Sequence, residues 1–82
     1  MIAQNPRTLA DLKASAKATV LSLQGEPAVQ QRLAEMGLTS GRQIRMVRVA
    51  PLGDPYQIEV LNYHLSLRRR ECECVLLATD PA

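Results

Sequence analysis

Apolar and polar residues alternate along two neighbouring runs in the second half of the chain. In the run 56–60 the apolar side chains occupy even positions, and in the run 63–67 they occupy odd positions. A period of two places successive side chains on opposite faces of an extended strand. The pattern therefore predicts two strands joined across Leu61-Asn62.

Three further segments predict strands. The run 17–23 contains β-branched residues, which favour strands. The run 43–50 also has this character, but its apolar positions change parity between Met46 and Val47, which predicts a bulge or a strong bend. The almost continuously apolar run 74–78 is typical of a more fully buried strand.

A helix is predicted between the first two of these five strands. Its apolar residues recur at helical spacing, at Val29, Leu33 and Met36. Pro27 suits the first helical position, where its missing N–H has no helical partner. Gly37 fits the left-handed residue that ends a Schellman motif, and Leu38 would then pack back on Leu33. A shorter turn is expected near residues 8–12, with Thr8 as its cap and Asp11 three residues later.

These elements predict a mainly β fold with one or two short helices, arranged as a small, partly open antiparallel barrel of about five strands. With 82 residues the chain forms one small domain. We expect the domain to span 8–79, between a flexible lead-in at 1–7 and a tail at 80–82. Because Phe and Trp are absent, the core must be aliphatic.

Charge and hydropathy exclude several classes of partner. The formal net charge of +2 implies no polyanionic partner, and the chain lacks the aromatic residues on which single-stranded nucleic acids stack. No apolar run approaches the roughly 20 residues that span a bilayer, so direct membrane insertion is not expected. The N-terminus has no secretory signal, which favours a cytoplasmic protein with reduced thiols.

Few side chains offer catalytic or metal chemistry. His64 is the sole histidine and is predicted on the outward face of a strand, and no phosphate-binding loop is present, so no enzyme activity is expected. Cys72 and Cys74, at i and i+2 in a strand, would point to the same side and could reach one soft cation. A closed zinc site needs four ligands, so we predict no metal site. Fe²⁺ or Zn²⁺ at Cys72, Cys74 and His64, across a homo-oligomer if necessary, is the alternative.

Arginines are concentrated in two places, the run Arg68-Arg69-Arg70 and the series Arg42, Arg45 and Arg48. One interpretation is a set of solvated charges at the barrel rim, paired in part with Glu59, Glu71 and Glu73. The other is a docking patch for an acidic protein surface.

Three segments together resemble the FeoA family of ferrous iron transport proteins: 32–41, 47–55 and 63–68. The resemblance runs from about Thr8 to Ala78. It implies an SH3-like barrel in the bacterial cytosol that acts with FeoB, a membrane permease with a cytosolic GTPase domain. The protein would then be a non-enzymatic accessory or regulator of Fe²⁺ uptake. Cys72 and Cys74 lie outside the family pattern.

The loop between the second and third predicted strands, Ala50 to Pro55, is the main candidate for docking. Its two prolines fix φ, and its aspartate can bond nearby amides, so it has few conformations to lose on binding. We hypothesise a small apolar patch with a charged rim that faces FeoB, formed by Leu38, Arg48, Leu52, Asp54 and Arg68. The alternative is a sensing or structural module that binds Fe²⁺ or Zn²⁺, with a dimer as one arrangement.

Overall fold

A computed structural model of the protein describes residues 7–78. The predicted lead-in before Arg7 and the tail at 80–82 lie outside the described residues. A 3₁₀ turn, five strands and two helices follow one another in this order: Leu9–Asp11, β1 (Lys17–Leu23), α1 (Pro27–Glu35), β2 (Gln43–Val49), β3 (Tyr56–Val60), β4 (Tyr63–Leu67), α2 (Arg69–Cys72) and β5 (Val75–Leu77). The predicted mainly β class with short helices is confirmed.

The five strands form one antiparallel sheet in the order β4-β3-β2-β1-β5. Strand β1 is shared between two parts of this sheet, since residues 17–19 pair with β2 and residues 20–23 pair with β5. Within residues 7–78, β4 and β5 do not pair with each other, so the sheet remains open. Neither helix of this region has the length and apolar character needed to span a bilayer.

The change of parity in β2 results from a bulge, as its sequence predicts. The register with β3 shifts between Met46 and Arg48, so Val47 is the extra residue. Before the bulge Ile44 and Met46 are buried. After it Arg48 is exposed, at the point where the strand approaches the 50–55 loop.

Helix α1 ends in the predicted Schellman motif. The N–H of Leu38 donates to the carbonyl of Leu33 at 3.1 Å, and the N–H of Gly37 donates to the carbonyl of Ala34 at 3.0 Å. Gly37 has a φ of 101°, which a side chain would make unfavourable. Leu33 and Leu38 are both fully buried, so this ending fixes the helix against the core.

The predicted N-terminal turn is also present. The carboxylate of Asp11 accepts hydrogen bonds from the backbone N–H groups of Arg7 and Thr8, each at 3.1 Å. The side chains of Leu9 and Leu12 are buried and pack this turn against the core. It thereby fixes the start of the described chain beside β5, where Thr8 forms a bridge with Leu76.

The core is aliphatic, as the composition predicts. Every strand and both helices contribute to the set of buried side chains, which comprises Leu9, Leu12, Val20, Leu33, Leu38, Ile44, Met46, Tyr56, Ile58, Val60, Leu67, Cys72, Val75 and Leu77. Tyr56 is the aromatic member, and its hydroxyl donates to the carbonyl of Ala10 at 3.3 Å. Burial of each large aliphatic side chain stabilises the fold by about 1.5–3 kcal/mol.

Candidate docking site

The loop from Ala50 to Pro55 is closed by its own backbone. The N–H of Gly53 donates to the carbonyl of Ala50 at 2.7 Å, and the N–H of Ala50 donates to the carbonyl of Pro55 at 3.0 Å. Gly53 has a φ of 83°, a left-handed conformation that glycine adopts without steric cost. Leu52 lies at the tip, 95% exposed. The loop therefore holds one large apolar side chain out in solvent.

Asp54 ties this loop to the start of α2. Its Oδ1 atom accepts a hydrogen bond from the backbone N–H of Arg69 at 2.9 Å, and its Oδ2 atom lies 3.7 Å from the guanidinium of Arg68. The first N–H groups of a helix have no partner within the helix, and a carboxylate there is stabilising. The structure thus brings together three of the predicted docking residues, Leu52, Asp54 and Arg68.

Two open clefts flank α2. One, of about 500 Å³, is lined by Asp54, Arg68, Arg69, Arg70 and Glu73. The other, of about 510 Å³, shares Arg68 and Arg70 and extends to the start of α1, where Gly25, Glu26, Val29, Arg32, Glu71 and Cys74 complete its lining. Arginines therefore form the rim beside the Leu52 loop.

Several of these arginines are paired, as one interpretation of the sequence predicts. Arg69 lies 3.3 Å from Glu73, and in the sheet Arg45 lies 2.7 Å from Glu59. Arg32 of α1, which the sequence reasoning did not single out, lies 2.5 Å from Glu71. Within residues 7–78, Arg70 forms no ion pair. Exposed pairs of this kind contribute little stability and can exchange for an acidic partner.

Leu38 does not lie on this site, contrary to the prediction. Leu38 has no exposed surface, because as the residue after the Schellman glycine it points back into the core. The prediction that it forms part of an exposed apolar patch is therefore wrong. Arg48 is exposed and lies opposite Gln57 of β3, and it forms no ion pair among the described residues.

The three candidate metal ligands are not gathered in one place. Cys72 is the last residue of α2 and Cys74 follows in a turn, so the prediction that they share one strand is wrong. Cys72 is fully buried, and the Sγ of Cys74 donates to the carbonyl of Arg70 at 3.4 Å. His64 is exposed on β4. Nowhere in residues 7–78 do three His, Cys, Asp or Glu side chains come close enough to share a metal ion.

The thiol of Cys72 should make the stability of the fold depend on pH in the alkaline range. Burial, reinforced by the negative charges of Glu71, Asp54 and Glu73, raises its pKa from 9.0 to about 12. The folded state therefore keeps this proton at pH values where the unfolded state loses it. The resulting contribution to stability is fully present below about pH 9 and is lost as the pH rises toward 12.

We expect the free energy of unfolding to fall more steeply with pH above about pH 9 in the wild type than in the Cys72→Ala variant, by about 1.4 kcal/mol per pH unit. Urea unfolding at a series of pH values measures both slopes. The comparison of slopes is independent of the packing that the variant loses. Equal slopes would show that burial does not keep the thiol protonated in this pH range.

Comparison with known proteins identifies the family. Residues 7–78 match the family model of the FeoA domain. A 63-residue stretch, 77% of this chain, is 33% identical to the Fe(2+) transport protein A/Fe(2+) transporter FeoB fusion protein of Porphyromonas gingivalis. The chain spans only 8% of the length of that relative.

Solved structures share the fold. The FeoA protein of Chlorobium tepidum is 39% identical, with a TM-score of 0.80 over 88% of this chain and 69% of that one. The FeoA of Stenotrophomonas maltophilia, solved in complex with zinc and described as a prokaryotic SH3 domain protein, is 31% identical, with a TM-score of 0.79 over 89% of this chain and 91% of that one. The family model covers every described residue, and relatives of the same family have the same SH3-like architecture. The chain therefore belongs to the FeoA family.

Proposed function

We propose that this protein is a non-enzymatic accessory of bacterial Fe²⁺ uptake that docks on the cytosolic part of a FeoB-type transporter. The observation that carries the proposal is the P. gingivalis relative, in which the corresponding domain and the transporter are one polypeptide. Covalent linkage makes the contact between two partners intramolecular and so raises their effective concentration. A separate chain of the same family would make that contact by affinity alone, in the cytoplasm.

The loop and the arginines beside it support this function. Leu52 is almost fully exposed on a loop closed by hydrogen bonds at both ends, so it can serve as an apolar anchor with little conformational entropy to lose. Arg68 and Arg70 border both clefts around α2 and would complement an acidic surface on the transporter. We therefore place the docking surface on Leu52 and the adjoining start of α2.

A metal-binding module is the second candidate, because the S. maltophilia relative was solved in complex with zinc. Cys74 is the partly exposed thiol of this chain, whereas burial keeps the Cys72 thiol protonated. Because no three candidate ligands lie together within residues 7–78, a metal site that uses Cys74 would take further ligands from a second copy. The docking proposal requires no metal.

One titration tests the proposal and separates it from the alternative. The purified protein is titrated into the cytosolic domain of the FeoB-type transporter of the same organism, loaded in turn with GDP and with a non-hydrolysable GTP analogue, by isothermal calorimetry. We expect association, with a dissociation constant in the micromolar range, that is unchanged in the Cys74→Ser variant. Absence of association in every nucleotide state would refute docking. Zinc-dependent association that Cys74→Ser abolishes would instead support the metal module.

A further inference from the structure

The two edges of the sheet differ in how they are covered. At the β5 edge, Thr8 forms a bridge with Leu76, and the N–H of Leu77 donates to the carbonyl of Arg7 at 2.9 Å. At the other edge, β4 pairs only with β3 within the described part of the chain, residues 7–78. One edge is therefore paired, and the other presents unpaired backbone groups.

Strand β4 has none of the usual devices that prevent pairing with another chain. Such edges commonly carry a lysine, a proline or a bulge. The sequence of β4 is Tyr-His-Leu-Ser-Leu, and its register with β3 runs without a shift from Tyr63 to Leu67. The strand therefore has no bulge and no formally charged side chain, and no other strand of residues 7–78 pairs with its outer edge.

The hairpin turn determines which backbone groups face outward. Strands β3 and β4 are joined by Leu61 and Asn62, whose φ values of 52° and 68° identify a two-residue type I′ turn. The pair flanking such a turn is hydrogen-bonded, and bonded and non-bonded pairs then alternate. The backbone N–H and C=O groups of Tyr63, Leu65 and Leu67 point toward β3. The N–H and C=O groups of His64 and Ser66 consequently point to the free edge.

We propose that β4 pairs with β4 of a second copy of this chain, antiparallel, about a two-fold axis at Leu65. In this register His64 lies opposite Ser66 of the second copy, and Ser66 lies opposite its His64. The outward N–H and C=O groups of these residues then form four backbone hydrogen bonds. Leu65 lies opposite itself, and Tyr63 lies opposite Leu67, so the sheet becomes continuous across the two copies.

The self-complementarity of the strand favours a second copy as its occupant. Apolar side chains meet apolar ones on the core side of the sheet, and His64 meets Ser66 on the outer side. Because β4 has no Asp, Glu, Lys or Arg, no formal like charges face each other at the axis. Tyr63, 41% exposed, and the half-buried Leu65 would lose apolar surface to water. Two five-residue edges fall short of the roughly 1,200–2,000 Å² of a stable interface, so the dimer exchanges reversibly.

A matched pair of double variants tests this register. His64→Lys places a lysine opposite Glu59 of its own chain, and residue 66 lies opposite the neutral Gln57, so both variants suit the fold. In H64K/S66E each lysine would face a glutamate of the second copy. In H64K/S66K each would face a lysine. The two variants differ at one position only.

Sedimentation equilibrium of the full chain over about 10 µM to 1 mM measures the result. We expect a reversible wild-type dimer, a dissociation constant at least tenfold lower for H64K/S66E, and a monomer throughout for H64K/S66K. The backbone N–H groups of His64 and Ser66 should also become protected from hydrogen exchange as the wild-type concentration rises. A wild type that stays monomeric at about 1 mM, or equal association of the two variants, would overturn the proposal.

Discussion

Replacing Leu38 by alanine is expected to lower the free energy of unfolding by about 2–5 kcal/mol. Leu38 has no exposed surface, and its N–H completes the Schellman motif that ends α1. Truncation removes buried apolar atoms and leaves a cavity at the point where the helix is fixed to the core. Urea unfolding followed by circular dichroism measures the change.

Leu52→Ala is the matched control, because it is the same substitution at a side chain that is 95% exposed. We expect it to change stability by no more than about 0.5 kcal/mol. The two variants distinguish a buried leucine from an exposed one, whereas the sequence analysis predicted both leucines in the exposed docking patch. If Leu38→Ala were as stable as the wild type, the buried position of Leu38 would be refuted.

Leu52→Asp is expected to weaken association with the cytosolic domain of the transporter at least tenfold, which corresponds to about 1.4 kcal/mol. An aspartate at the loop tip removes the apolar anchor and places a negative charge against a surface proposed to be acidic. The stability of the variant should remain close to wild type, since Leu52 packs against nothing in the core. The calorimetric titration described above measures the affinity.

Leu61→Asp provides the comparison. Leu61 is also an exposed leucine, at 51%, and its left-handed turn conformation tolerates aspartate. We expect its affinity for the transporter domain to match the wild type. An equal loss in both variants would mean that added negative charge, and not the loop tip, weakens binding. No loss in Leu52→Asp would place the docking surface elsewhere.

Most of the fold could be predicted because its signals are local. The alternation in 56–60 and 63–67 gives β3 and β4, and the change of parity at Val47 gives the bulge. Pro27 and Gly37 mark the two ends of α1. Each of these features depends on residues within a few positions of one another, so periodicity, turn chemistry and capping rules suffice.

The site was harder to predict because its contacts join distant parts of the chain. Asp54 accepts a hydrogen bond from the backbone N–H of Arg69, 15 residues away, and Arg32 forms an ion pair with Glu71, 39 residues away. No local pattern encodes either contact. Helix α2 was missed because it is only four residues long, although Glu71, whose carboxylate accepts from the N–H of Arg68 at 2.8 Å, is a helix-start signal. Missing it also led to the wrong geometry for Cys72 and Cys74.

For Leu38 the sequence contained enough information to avoid the error. A leucine that follows a Schellman glycine makes an apolar contact with the last turn of the helix, here Leu33. That contact requires the side chain to turn inward, which is incompatible with an exposed patch. The capping geometry should therefore have excluded Leu38 from the docking residues.

The pairing of Arg7 with Leu77 means that the two ends of the described chain emerge side by side. A polypeptide joined to this domain before residue 7 or after residue 78 would be attached at the same corner, at the edge opposite β4 in strand order. Domains with adjacent ends are readily appended to or inserted in larger proteins, because a linker at either end leaves the internal sheet unchanged. The P. gingivalis relative, in which the corresponding domain is one segment of a longer polypeptide, has this kind of arrangement.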